Sequence, residues 1–306
     1  MDKEPIAPGR GGAAGSPRRE FLATCAAVAL APAVIRPRAQ AAAGTAFRIG
    51  TTAVILDDQV GFLNEWKAYL QDRLERPVTF VQRGSYREIT ELLTRDELDF
   101  AWVCGYPYAR NKAVMRLLAM PIYHGKPLYQ SYLIVPESDR RTESFADLKG
   151  AIFAYSDPNS NSGYLVPQYE MLRRGLDPAA LFRKSFFTYA HRKVAVAVAN
   201  GVAQAGAIDG YVWETLALRA PELTAKTRVA RKSDEYGFPP LVARQSISAE
   251  AFARMERTLV AMRDDPAGRA LLGQLNLDGF ARGDERVFAG IAQVVDYVAA
   301  RQRLPA

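Results

Sequence analysis

The sequence predicts an α/β chain of two doubly wound lobes, each a sheet flanked by helices, followed by a helical tail. Short β-branched or apolar runs alternate with helically periodic segments in two successive sets, one in residues 44–130 and one in residues 131–239. The connections are short and rich in Gly, Ser, Asn and Asp, the chemistry of turns and helix starts. Beyond Pro239-Pro240 comes one further strand and then only amphipathic helices, a return to the first lobe over residues 240–306.

The first 43 residues stand apart from this plan. Arg18-Arg19-Glu20-Phe21-Leu22 precedes an uncharged run from Ala23 to Ile35, and Ala39-Gln40-Ala41 supplies small residues for cleavage. A charged region, a short apolar stretch and a small-residue site make an export signal, and the run is shorter than the ~20 apolar residues of a membrane span. The arginine pair before x-Phe-Leu is similar to the twin-arginine signal, with Pro17 and Ala23 departing from its usual flanks. Removal of residues 1–43, six basic and three acidic, takes the net charge from +7 to +4 over about 263 residues. That length supports two lobes of ordinary size. Scattered Lys and Arg at that balance argue against nucleic-acid binding and favour an anion only weakly. Cys104 is left as the one thiol, so no internal disulfide is expected. Its apolar setting, Phe100 to Val103, reads as that of a small buried hydrophobe.

Phe47-Arg48-Ile49-Gly50 opens the first lobe as a strand ending in a loop. Val60 to Leu74 places Phe62, Leu63, Trp66, Leu70 and Leu74 on one helical stripe. Val78 to Val81 is a second strand. Ser85-Tyr86-Arg87-Glu88 fits a capping box opening a helix that buries Ile89, Leu92 and Leu93. Leu98 to Val103 is a third strand, running into Gly105-Tyr106-Pro107-Tyr108. In the second lobe, Leu128 to Val135 is a strand and Ser144 to Gly150 a short helix stopped by glycine. Ala151 to Tyr155 is a strand, Asp157 to Gly163 a polar loop, and a helix follows to Arg174 with Gly175 at its end. Strands at Ser185 to Tyr189 and Gly206 to Val212 enclose a helix at Lys193 to Ala199. The tail holds a strand at Leu241 to Arg244 and helices at Ala249 to Arg263, Gly268 to Leu275 and Val287 to Ala300. The predicted sheets are mostly parallel.

The loop Ser160-Asn161-Ser162-Gly163 joins the carboxyl end of a strand to a helix start, where open α/β sheets bind ligands. Amides at a helix start point outward with partial positive charge and hold an oxyanion without a lysine. The same residues would also serve as a plain N-cap and turn. Ser85 offers a second helix start, with Tyr86 able to reach over it. Tyr106 and Tyr108 follow a strand of the same lobe and suit either packing or ligand contact. His191, near a helix start, would donate to an oxyanion or stand solvated. His124 reads as a turn residue. Two histidines and an apolar cysteine give no metal-ligand spacing, and neither a G-x-S-x-G elbow nor a P-loop is present. No cofactor, metal or enzymatic role is therefore expected.

Taken in order, these motifs resemble the phosphate/phosphite/phosphonate family of periplasmic ABC-importer binding proteins. The resemblance runs through Ile49-Gly50, Ser85-Tyr86, Asp99-Phe100-Ala101-Trp102 to Gly105 and Tyr108, Tyr129-Gln130-Ser131-Tyr132-Leu133-Ile134-Val135 and Asp147-Leu148-Lys149-Gly150. It continues through Asp157-Pro158-Asn159-Ser160-Asn161-Ser162-Gly163 with Pro167, and His191 before Ala197-Val198-Ala199-Asn200-Gly201. It implies a type II periplasmic binding protein fold, a hinged clamp crossed twice near Ser131 and Pro239, acting as a monomer with an ABC permease. It also implies an anion held by Ser85, Tyr86, Tyr108, Ser160, Asn161, Ser162, Gly163 and His191. Asn161 replaces the family's threonine, and Gln204 stands where relatives carry an aspartate. Asp209 is the expected acceptor for a protonated oxyanion. A sensory receptor of the same fold, a binder of sulfonates or other small organic ligands, and a periplasmic enzyme are the competing readings.

Overall fold

The parallel strands of both sheets point their carboxyl ends at one region, and the rest of the fold serves that convergence. A computed structural model describes residues 45–52 and 60–302, so the expected signal peptide with its arginine pair lies outside the described residues. The strands are β1 (Phe47–Thr51), β2 (Val78–Gln82), β3 (Phe100–Trp102), β4 (Met115–Ile122), β5 (Leu128–Pro136), β6 (Ile152–Tyr155), β7 (Lys184–Phe187), β8 (Ala205–Asp209), β9 (Thr227–Gly237), β10 (Leu241–Arg244) and β11 (Gly279–Arg282). The first sheet has the order β11-β4-β10-β3-β1-β2 and the second β7-β6-β8-β5-β9. The chain passes from the first sheet to the second between Ile122 and Leu128, and back between Gly237 and Leu241.

The helices are α1 (Val60–Leu74), α2 (Tyr86–Thr94), α3 (Gly105–Arg110), α4 (Val166–Arg173), α5 (Pro178–Leu181), α6 (His191–Ala199), α7 (Gly210–Arg219), α8 (Pro221–Thr224), α9 (Ala249–Val260), α10 (Pro266–Leu275) and α11 (Ala289–Ala299). The stripe read on α1 is buried throughout, from Phe62 to Leu74. Trp66 packs edge-on to Trp102, which packs edge-on to Phe280, and Phe47 meets Phe100 in the same way. In the second sheet Phe153 stacks on Phe182 at 4.5 Å. Full burial of side chains this large stabilises by about 1.5–3 kcal/mol each.

Two readings are corrected. The sheets are mixed, not mostly parallel. β1 pairs parallel with β2 and β3, but β10 enters from far along the chain and pairs antiparallel with both β3 and β4. In the second sheet β6 pairs parallel with β7 and β8, while β5 runs antiparallel to β8 and β9. The tail is not wholly helical after Arg244, because β11 completes the first sheet beside β4. Gly105 to Tyr108, which follow β3, begin α3.

α11 crosses from one lobe to the other. It packs on α3 beside the first sheet and on α4 beside the second. Tyr297 meets Tyr169 edge-on at 5.0 Å, and Gln302 Nε2 donates to Gln168 Oε1 at 3.1 Å.

Candidate functional site: an oxyanion turn between two lobes

In the first sheet, β1 ends at Thr51, β2 leads to Ser85 and the start of α2, and β3 leads to Cys104 and α3. In the second, β6 leads to the turn Ser156–Gly163, β7 to His191, and β8 ends at Asp209. These are the carboxyl ends of parallel strands, the place where such sheets bind ligands.

The turn is built by its own residues. Ser160 is the N-cap, and its Oγ accepts from Gly163 N at 2.9 Å. A π-helical turn, Asn161–Leu165, then runs into α4, with Leu165 N donating to Ser160 O at 3.0 Å. This wide turn leaves the earlier amides without helical acceptors. Asn161 N finds Cys104 Sγ at 3.1 Å across the lobes. Ser162 O accepts from Ser131 Oγ at 2.6 Å, and Asn161 Nδ2 donates to the Tyr129 hydroxyl at 3.1 Å. A Cβ on Gly163 would stand 1.8 Å from Ser156 Oγ, so only glycine fits.

Among the described residues, three buried side-chain atoms of this segment have no partner: Ser156 Oγ, Asn161 Oδ1 and Ser162 Oγ. Thr51 Oγ1, at the end of β1, is a fourth. Burying a polar group without a hydrogen bond costs about 1–3 kcal/mol. A cluster on one turn therefore marks a place where polar recognition, not packing, has set the residues.

Tyr86 and His191 join the lobes a second time. The Tyr86 hydroxyl lies 3.2 Å from His191 Nε2, and Asp209 N donates to His191 Nδ1 at 3.1 Å. An Nδ1 that accepts an amide proton carries none itself, so the proton of the neutral ring sits on Nε2 and is offered to Tyr86 Oη. The Tyr86 hydroxyl hydrogen is then available to a third group. An imidazolium would set Nδ1–H against the Asp209 amide, and burial alone pushes His191 down to about 3. The ring is thus neutral near neutral pH.

The surroundings are electrically spare. Burial, with Cys104 and Asp157 nearby, pushes the Tyr86 phenol well up, and burial raises the Cys104 thiol to about 11. Asp157 accepts from Tyr86 N, the first amide of α2, at 3.2 Å and from Asn159 N at 2.7 Å. Burial raises its carboxyl. Asp209 caps α7 by accepting from Val212 N at 3.3 Å, and burial pushes it up to about 7. Among the described residues, the groups hydrogen-bonded around the turn are hydroxyls, amides, a thiol and a neutral imidazole, with these two carboxyls and no lysine or arginine.

The structure brings Tyr86, Ser160, Asn161, Ser162, Gly163, His191 and Asp209 together. It does not bring in Ser85 or Tyr108. The Ser85 hydroxyl is engaged in its own helix, accepting from Glu88 N and donating to Glu88 Oε2 at 2.9 Å. The capping box therefore closes through the hydroxyl, not through the Ser85 amide. Tyr108 faces the other way because Gly105–Arg110 is helical. Its ring meets Phe288 edge-on at 4.9 Å, Lys112 lies over it, and Glu285 bonds its hydroxyl. His191 is buried and not solvated. His124, with a φ of 49°, is the turn residue expected.

Sequence reasoning passed over five members of this region. Cys104 is the small buried hydrophobe its apolar neighbours indicate, but those neighbours give no sign of its role as acceptor. Asp157 and Tyr129 stood inside the quoted motifs, but only tertiary contact gives them partners. Ser156 and Thr51 lie at strand ends beside those motifs, a position that signals the site once the strands are known.

Comparison with known proteins identifies the family. The family described as ABC transporter, phosphonate, periplasmic substrate-binding protein matches residues 58–288. The chain is 25% identical over 247 residues to the phosphonates-binding periplasmic protein of Escherichia coli (strain K12), covering 78% of this chain and 73% of that protein. It is 25% identical over 228 residues to the phosphate-import protein PhnD of Mycolicibacterium smegmatis, covering 70% and 68%. A crystal structure of a binding protein component of an ABC phosphonate transporter from Pseudomonas aeruginosa superposes with a TM-score of 0.77 at 23% identity, covering 85% of this chain and 90% of that one. PhnD1 from Prochlorococcus marinus, in complex with methylphosphonate, gives 0.75 at 18%, covering 83% and 98%. The fold is that of the type II periplasmic binding proteins. With three quarters of its length matched, the chain belongs to the phosphonate family of periplasmic substrate-binding proteins of ABC transporters.

Proposed function

We propose that this chain reversibly holds a phosphorus oxyanion (phosphonate, phosphite or phosphate) between its lobes, without chemistry, and presents it to an ABC permease. The observation that carries this reading is the cluster of unpartnered polar atoms on the Ser156–Ser162 segment, facing a tyrosine hydroxyl whose hydrogen is available. Ser156 Oγ, Ser162 Oγ and Tyr86 Oη are donors for anionic oxygens, joined by amides of the first turn. Asn161 Oδ1 and Asp209 are acceptors. A group that accepts as well as donates suits an oxyanion that keeps a proton near neutral pH, which phosphorus acids do and sulfonates do not. That difference favours phosphorus over the alkanesulfonates bound by more distant structures of this fold, such as the alkanesulfonate-binding protein SsuA from Xanthomonas axonopodis pv. citri, TM-score 0.60.

In this reading β1–β4 with β10 and β11 build one lobe and β5–β9 the other, so the crossings fall at 122–128 and 237–241, close to the boundaries at 130 and 239 expected from the sequence. Residues 1–43 direct export, by the twin-arginine route if Arg18 and Arg19 act as a pair. No described helix is long and apolar enough to cross a membrane.

Calorimetry of the chain against phosphate, phosphite, methylphosphonate and an alkanesulfonate tests the proposal. One phosphorus oxyanion should bind at least tenfold more tightly than the sulfonate. Replacing Ser156 and Ser162 together with alanine should weaken it by about 1–3 kcal/mol per lost charge-assisted bond with the fold intact. Unchanged affinity in that double variant, or preference for the sulfonate, would contradict it.

A further inference from the structure

The candidate site recognises negative charge with neutral donors and keeps two carboxyls close by, so nothing within it draws an anion from a distance. A different feature, rich in arginine, lies beside it. A groove of about 490 Å³ is lined by Arg87, Arg95 and Arg110, with Asn111, Asn159 and the single carboxylate of Glu91 among its other residues. It is composite, since α2 and α3 belong to the first sheet's lobe while Asn159 belongs to the second's.

The groove adjoins the site on both sides. Arg87 follows Tyr86, and Asn159 precedes Ser160. The charge of Arg87 is felt at the buried Asp157 carboxyl, which itself accepts from Tyr86 N. The guanidiniums are held in ways that leave them exposed to solvent-borne charge. Arg87 lies 3.6 Å from Glu91, with side chains 64% and 50% exposed. Arg95 pairs with Glu97 at 2.8 Å on the surface. Arg110 rests over the Tyr106 ring and donates to its hydroxyl at 3.3 Å. Surface pairs of this kind are weak and readily shared with an incoming anion. Guanidinium also matches the planar, two-oxygen face of phosphorus oxyanions.

We propose that this groove is a second anion site, a vestibule that gathers a phosphorus oxyanion at the lip of the cleft and speeds its passage to the Ser160–Gly163 turn. The inference rests on the oxyanion reading of that turn. Electrostatic focusing by clustered like charges raises association rates by 10–10³ and falls steeply with ionic strength.

Stopped-flow fluorescence of the chain, with methylphosphonate and inorganic phosphate as probes, provides the test. Arg87→Gln, Arg95→Gln and Arg110→Gln together should slow association about tenfold at low ionic strength, with the gap closing as salt rises past about 0.5 M, where screening acts within ~4 Å. Dissociation should change little. The triple lysine variant should restore most of the rate, Glu91→Gln should raise it, and Arg254→Gln on the distant α9 should leave it alone. An association rate unaffected by the triple glutamine variant, or slowed equally at every salt concentration, would overturn the vestibule while leaving the inner site standing. Failure of the unaltered chain to bind either probe would overturn both.

Discussion

At Gly163 the polypeptide passes so close to Ser156 that a single methyl group has no room. Gly163→Ala should therefore push the turn off its present course. Overpacking of this kind costs about 1–3 kcal/mol, and a chain of this size loses about 2–4 °C of Tm per kcal/mol. Thermal unfolding should show that loss, and calorimetry should show that methylphosphonate no longer binds. A variant with native affinity would mean that the turn adapts. His191 and Asp209 make a second residue-scale prediction. His191 sits at about 3 against an ordinary 6.5, so its contribution to stability is complete above pH 6.5 and is lost as pH falls towards 3. Asp209 sits at about 7 against an ordinary 3.8, so its contribution is complete below pH 3.8 and is lost as pH rises through 7. From about pH 4 to 6.5 the unfolded chain carries one proton on the histidine and the folded chain one on the aspartate, and the two effects cancel. Single variants should expose each in turn. Asp209→Asn should lose stability on acidification from pH 6.5, and His191→Gln should lose it as pH rises from 4 to 7, by up to about 4 kcal/mol each. Denaturant titrations at several pH values read this directly, and two profiles of the same slope would refute the assignment.

Among the elements, legibility followed locality. The α1 stripe, the Ser85 cap and the Ser160 cap are local patterns, and all were readable before any contact was known. β4, β9 and β11 were not. β4 is rich in Met, Leu and Ala and contains Pro121, so its propensity argues against a strand, and only its place between β10 and β11 imposes one. β9 carries Arg228, Arg231, Lys232, Asp234 and Glu235 because it is the edge of its sheet, where charge guards against further pairing. The same distinction explains Tyr108. Its spacing after β3 resembled that of a ligand residue, but α3 turns it onto Phe288 beneath α11. Tyr108→Phe should leave oxyanion affinity within twofold, whereas Tyr86→Phe, which deletes the hydrogen offered to the guest, should weaken binding at least tenfold. Calorimetry on the two variants decides, and equal losses would return Tyr108 to the site.

For the whole molecule, the relevant fact is that the site is assembled from both lobes. Tyr86 meets His191 and Asp157, and Cys104 meets Asn161, only while the lobes are together. A guest that bridges them stabilises the folded chain by mass action, about 2.7 kcal/mol at a hundred times its Kd. Melting temperature should then rise by about 5–10 °C with the cognate anion and by much less with a sulfonate. The tertiary half of the site was beyond the reach of the sequence for the same reason: residues some 57 to 105 positions apart become neighbours only through two sheets and a double crossing. Cys104 carries one last consequence. Its sulfur is covered by the opposite lobe at Asn161, so a reagent such as iodoacetamide meets it chiefly in molecules that have swung apart, and the rate of alkylation counts them. Cargo should slow that clock. A sulfur already oxidised to a bulkier, charged acid would act as a wedge, leaving a receptor that folds but no longer shuts.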